Sequence, residues 1–192
     1  MKIQEADAKG LLLAQNLPVP GWSVARTPAE ARAAAESILA AGADRVVVKA
    51  QVLVGGRGKA GGVRLAGSAD EAEVVADAIL GMSIKGITVR KVLVAAAAEI
   101  VKEYYLSAVL VRAARGILLM GSAEGGVEIE QVAAVRPDAI ITIHAHPHLG
   151  LADWQARQLA FRMGLGGHLK AAVGIAKGLV RPLLAYDAET GQ

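Results

Sequence analysis

The chain has 192 residues, of which 54% are hydrophobic and only 3% aromatic, and it carries a formal net charge of +3. That length provides one large domain or two small lobes, and a core that must be built from Ala, Val, Leu and Ile. There is no cysteine, which excludes disulfides, thiolate metal sites and cysteine nucleophiles and fits a reducing compartment. The first residues, Met1 to Ala8, are polar, and no apolar stretch is long enough to cross a bilayer, so a cytoplasmic protein without a membrane segment is expected. The Lys and Arg residues are scattered apart from one glycine loop. This points to a small anionic ligand rather than to nucleic acid.

In chain order, Thr27 is expected to cap a helix with Pro28 in its first position and Glu30 closing a capping box. That helix runs through "ARAAAESILAAG" and stops at Gly42. Val46–Val48 reads as a buried strand, and "GVRLA" as another. Ser68 with Glu71 repeats the capping signal for a helix through "EVVADAILGM". "KVLVAAAA" and "YYLSAVLV" read as strands, "RAARG" as a turn into the strand-like "ILLMGSA", and Glu124-Gly125-Gly126 as a second turn. The strand "AIITIHA" follows. Asp153 is expected to cap a helix through "WQARQLAFRMG", a last helix covers roughly His168 to Leu184, and "AYDAETGQ" reads as a polar, turn-rich tail. The mixture of apparent hairpins and helices predicts an α+β or mixed α/β fold with two lobes divided near residues 95–103.

Gly56-Arg57-Gly58-Lys59-Ala60-Gly61 matches G-x-G-x-x-G. The dinucleotide form needs a helix directly after the loop, and here a strand-like segment follows. No Gly-Lys-Ser/Thr is present for a Walker A loop. Strand, glycine loop, strand is a hairpin able to fold over a polyphosphate: glycines admit backbone N–H groups to phosphate oxygens, and Arg57 and Lys59 add charge. Lys49, at the end of the valine strand, can reach a phosphate as a point charge. A solvated hairpin with two surface cations is the competing reading.

His144, His146 and His148 alternate. On a strand they would share a face and could chelate Zn²⁺ or Ni²⁺, but Pro147 equally marks an exposed strand end. Glu124, Glu128 and Glu130 are read as acids facing solvent or an arginine rather than as an acid/base pair.

"VVVKAQVLVGGRGKAGGV", "KEYYLSAVLVR" and "GSAEGGVEIEQVA" together resemble the β subunit of succinyl-CoA synthetase (succinate–CoA ligase), from the first residues to about residue 180. The resemblance implies an α/β fold of the α+β two-lobe, ATP-grasp type. Lobe 1 would span about 1–98, an incomplete lobe 2 about 99–192, and the C-terminal ligase domain would be absent. It implies that acid, CoA and ATP are converted to acyl-CoA, ADP and phosphate together with an α subunit.

Carried over, Lys49 is similar to the phosphate-binding lysine and Gly56, Arg57 and Gly58 to the phosphate loop. Ala98 and Glu103 stand at nucleoside contacts, and Pro20 near the base. ATP, with Mg²⁺, is the implied nucleotide; no catalytic residue and no metal ligand is expected. The family glutamate is replaced at Ala95, its "HEYQ" pattern reads Gln4-Glu5-Ala6-Asp7, and its Mg²⁺-binding "EINPLV" segment is not present. The chain is therefore expected to be inactive alone, needing an α-like subunit. The alternative is a non-catalytic ATP-grasp relative serving as a binding or oligomerising module. A homo-oligomer, a dimer in the first instance, is expected, with no nucleic-acid or membrane partner.

Overall fold

A computed structural model describes residues 2–191. The chain divides into two compact units. The first comprises the residues up to Gly10 together with Val19–Glu99, and the second comprises Leu11–Pro18 with the residues from Ile100 on.

The first unit is a four-stranded antiparallel sheet with helices on both sides. Its strands β1 (Trp22–Ala25), β2 (Val46–Ala50), β3 (Val63–Ala66) and β6 (Val92–Ala96) stand in the order β1-β6-β2-β3. A separate two-stranded hairpin, β4 (Ser83–Ile84) with β5 (Ile87–Thr88), turns through Lys85 and Gly86, both with φ in the left-handed region. Two helices, α2 (Pro28–Ala40) and α3 (Ala69–Ile79), begin as expected. The Thr27 hydroxyl accepts the Glu30 N–H at 3.2 Å while the Glu30 carboxylate accepts the Arg26 N–H at 2.6 Å. The Ser68 hydroxyl and the Glu71 carboxylate repeat this at the start of α3, at 3.1 and 2.6 Å. Each helix thus satisfies otherwise orphaned amides from side chains three residues apart.

Alternation along the strands sorts this sheet into two faces. Val46, Val48, Ala50, Val92 and Val94 pack against Ala31 and Ala35 of α2 and Ala72, Val75, Ala76 and Ile79 of α3. Small side chains at these helix positions let backbone approach backbone, which replaces the volume that aromatics would supply. The opposite face carries Val47, Leu93 and Ala95 with Trp22, Val24 and Ala6. Ala6 belongs to a helix absent from the sequence expectations, α1 (Glu5–Ala14). Of the polar first residues noted above, residues 5–8 form the first turn of that helix.

The second unit is again antiparallel: β10-β7-β8-β9, formed by β7 (Tyr105–Val111), β8 (Gly116–Ser122), β9 (Ile141–Ala145) and β10 (Thr190–Gly191). The "RAARG" turn is a 3₁₀ turn ending at Arg115 with φ 49°. A short helix α4 (Ile129–Val135) precedes β9, and α5 (Asp153–Arg162) and α6 (Leu169–Ala185) cover one face. Ala108, Ile117, Leu119, Ile141 and Ile143 meet Ala156, Leu159, Met163, Leu179 and Leu183 there.

Two expectations are corrected. Asp153 is the first residue of α5 rather than its cap. The Gln155 side chain takes the capping role, accepting the Ala152 N–H at 3.0 Å and donating to the His144 carbonyl at 2.7 Å. Asp153 instead pairs with Lys177 of α6, whose hydrogen bond and charge hold its carboxyl below the usual carboxylate value. The tail is not all turn: Thr190 and Gly191 pair with Val109 and Ala108 of β7. No helix among the described residues is long and apolar enough to cross a membrane.

Candidate functional site

The glycine loop joins β2 to β3 as a hairpin, with Lys49 opposite Val63. Its neck is closed by backbone bonds from Gly62 N–H to the Arg57 carbonyl (2.8 Å) and from Ala50 N–H to the Gly62 carbonyl (2.7 Å). Ala60 and Gly61 also donate inside the loop. Among the described residues the amides of Gly56, Arg57 and Gly58 have no backbone partner, as is also true of Leu53, Val54 and Gly55, so the loop named from the sequence has amides able to face an anion.

The glycines do different work. Gly56 has φ +84°, a conformation that side chains resist, and a Cβ on Gly62 would lie 2.7 Å from the Ile84 side chain and 3.2 Å from the Arg57 carbonyl. Gly58 has neither constraint: a Cβ there meets nothing within 4 Å and its φ is not left-handed. The fold requires glycine at 56 and 62, not at 58.

Lys49 lies on the face opposite the α2/α3 core, the face that carries Ala6, Leu93 and Ala95. Its Nζ is 3.1 Å from Oε1 of Glu5, the first residue of α1. Arg57 Nη2 is 2.7 Å from the other Glu5 oxygen, and its Nη1 donates to the Ala50 carbonyl at 2.9 Å. Both cations therefore converge on one carboxylate. Burial works to raise the pKa of Glu5; the charges and hydrogen bonds of Lys49 and Arg57 outweigh it and hold the carboxyl below its ordinary value. Lys9, whose Nζ sits 5.5 Å from the centre of the Trp22 ring, is pushed below its usual value by burial and by Lys49, against the pull of Glu5.

Gln51, which sequence reasoning passed over, locks this arrangement. It is 2% exposed; its Oε1 accepts the Ala6 N–H at 3.0 Å, and its own carbonyl accepts from the Gln4 side chain at 3.1 Å. A buried amide that satisfies a helix's orphan N–H sets the start of α1 against the end of β2. No local pattern marks such a residue. A glutamine directly after an apolar strand is its only trace in the sequence.

Ala98 is not brought beside Lys49. The β2/β6 register sets Lys49 opposite Leu93, and Ala98 lies beyond Ala96 at the other end of that strand pair. Three residues of strand alone are about 10 Å. Glu103 belongs to the second unit, where it lies against the glycine turn: a Cβ on Gly125 would overlap the Glu103 carbonyl group, and one on Gly126 would overlap its carboxylate. The turn itself is held by Glu124 N–H donating to the Ser122 hydroxyl (3.1 Å), and the Glu124 carboxylate pairs with Arg136 at 3.1 Å. A cavity of about 240 Å³ beside it is lined by Ser122, Glu124, Asp138, Ile141 and Arg162 among others.

The histidine trio does not form a ladder. The strand ends at Ala145, and His146 Nδ1 accepts the N–H groups of both His148 and Leu149 at 3.1 Å. Among the described residues no group of three or more His, Cys, Asp or Glu side chains is arranged to hold a metal ion.

An antiparallel sheet whose hairpin glycine loop stands beside a strand lysine, followed by a second α+β unit, defines a class. The ATP-grasp domain family matches residues 2–191, and the chain belongs to it. It is 52% identical over its whole length to the succinate–CoA ligase [ADP-forming] subunit β of Roseiflexus sp. and 54% identical over 98% of its length to that of Chloroflexus aurantiacus. It is 48% identical to the succinate–CoA ligase [GDP-forming] subunit β of Thermus thermophilus. The chain covers 49–50% of each of these, so it spans about half the length of the curated relatives it matches. Among solved structures it superposes on a dinucleotide-forming acetyl-coenzyme A synthetase of Ca. Korarchaeum cryptofilum with TM-score 0.78 at 18% identity, over 98% of this chain and 83% of that one. PH1788 of Pyrococcus horikoshii gives 0.71 at 20%, over 94% and 76%. At such identities the likeness is one of fold.

Proposed function

We propose that the chain is the nucleotide-binding part of a succinate–CoA ligase β subunit, binding Mg-ATP and working with an α-like chain in ADP-forming acid–CoA ligation. The observation that carries this reading is the convergence of Lys49 and Arg57 beside a loop whose Gly56–Gly58 amides are left unpaired. Lys49 and those amides fit the oxygens of a triphosphate. The placement of Ala98 at the far end of β6 fits an elongated ligand with its nucleoside away from its phosphates. Mg²⁺ would arrive on the nucleotide, whose phosphates supply much of its coordination. The share of this chain in catalysis is positioning and charge neutralisation, on which phosphoryl transfer chiefly depends.

The test is thermal unfolding with and without millimolar Mg-ATP, alongside Lys49→Ala and with Mg-GTP as competitor. A ligand at a hundred times its Kd stabilises by about 2.7 kcal/mol, a shift of several degrees at this size. A shift that disappears in Lys49→Ala is expected. No shift in the unaltered chain would overturn the reading.

A further inference from the structure

We propose that Glu5 is a positioning residue of the phosphate site: its carboxylate fixes Lys49 and clasps the glycine loop shut through Arg57, so that the lysine's remaining donors point to a ligand. This rests on the phosphate-site reading above and adds to it a residue that lies outside both the loop and the strand.

The geometry divides the work. Arg57 is held from two sides, by Glu5 at 2.7 Å and by the carbonyl of Ala50, the last residue of β2, at 2.9 Å. Its own carbonyl accepts the Gly62 N–H that closes the loop neck. A guanidinium so engaged is a clasp between the loop, the strand end and α1. Lys49 differs, because an ammonium carries three donors and Glu5 takes one. A lysine side chain left to itself spreads over many rotamers; tied at one donor, it keeps two for phosphate oxygens without that ordering cost at binding.

Glu5 is itself built into place. The flanking residues are stitched to the strand end, Ala6 N–H to Gln51 Oε1 at 3.0 Å and the Gln4 side chain to the Gln51 carbonyl at 3.1 Å. Its side chain is 22% exposed. It is the carboxylate shared by Lys49 and Arg57, and its charge also acts on Lys9. Without it they repel one another, and Lys49 is free to turn to solvent.

Calorimetric titration of the full chain with Mg-ATP, and separately with inorganic tripolyphosphate, tests this in four proteins: unaltered, Glu5→Gln, Lys49→Ala and the double variant. Melting curves of the four proteins check that each is folded. Glu5→Gln is expected to bind both ligands about tenfold more weakly, the scale of one charge-assisted hydrogen bond. Glu5→Gln is expected to weaken binding less in the Lys49→Ala background than in the unaltered one, because only its hold on the loop through Arg57 is left to lose there; a merely structural role would weaken both backgrounds alike. Should Glu5→Gln fail to fold, Glu5→Asp replaces it, keeping the charge but withdrawing it by one methylene, with the same weakening expected. Unchanged or tighter binding in the Glu5 variants, with Lys49→Ala still deficient, overturns the role of Glu5 alone. Absence of binding by the unaltered chain overturns the phosphate-site reading and this inference with it.

Discussion

The Arg57 guanidinium and the Glu5 carboxylate, 52 residues apart in sequence, meet at 2.7 Å. The pair joins the loop to a helix that no local signal announced. Glu5 holds its carboxyl below the ordinary value of 4.5 because Lys49 and Arg57 outweigh its burial. A carboxylate depressed in the folded state contributes its full stability above the unfolded pKa and loses it as pH falls through the folded one. Glu5→Gln should therefore lower stability by about 1–2 kcal/mol at pH 7, or about 2–8 °C. The gap to the unaltered chain should close below pH 4.5. Melts of both proteins across pH 3–7 check this, and a gap that persists at the acid end contradicts it.

Gly58 and Gly62 should separate binding from folding. A Cβ at 62 has no room beside Ile84, Ala50 and the Arg57 carbonyl, so Gly62→Ala should cost about 1–3 kcal/mol. Gly58→Ala should melt within about 2 °C of the unaltered chain. It should nevertheless bind Mg-ATP roughly tenfold more weakly, since the methyl keeps phosphate from the amides. Equal affinity in Gly58→Ala would mean that the ligand does not approach there.

At the start of α5, Gln155→Ala should destabilise by about 1 kcal/mol, because it leaves the Ala152 N–H and the His144 carbonyl without their partner. Asp153→Ala should shift the melt far less, and that shift should vanish in molar salt, as expected of a solvent-exposed ion pair. A larger loss from Asp153 than from Gln155 would return the capping role to the aspartate.

In the second unit Gly125→Ala should cost about 1–3 kcal/mol, because the new methyl would sit 2.5 Å from the Tyr104 amide nitrogen and overlap the Glu103 carbonyl. Neither is a flexible side-chain end that can swing away. A melt unchanged by this substitution would show that the turn and the β7 approach can separate.

What the sequence discloses is what depends on near neighbours. Thr27 with Glu30 and Ser68 with Glu71 act over three residues, so both helix starts are readable, and the strand–loop–strand order around Gly56–Gly61 is equally local. Glu5 is different: its partners lie 44 and 52 positions away, and "EADAKGLLLA" has neither a cap nor a clear apolar stripe. The helix rests on Gln51, a tertiary contact without a local pattern. β10 is two residues long and exists only because β7 offers a free edge. Asp153 reads as the cap because aspartate is a favoured cap residue ahead of a helical run; that the helix starts one residue earlier, with Gln155 reaching back to Ala152, depends on the position of the His144 carbonyl that holds the glutamine.

The strand order of the first unit also sets a schedule. β1, near the start, pairs with β6 alone, and β6 lies between β1 and β2. During synthesis the hairpin of β2 and β3 can form early, but β1 must wait until β6 (Val92–Ala96) has emerged. Such distant pairing slows folding, because the intervening chain must be ordered before the contact rewards it. Until then the valines of β2 have one open edge, and this is the interval in which a nascent chain is most exposed to pairing with a neighbour.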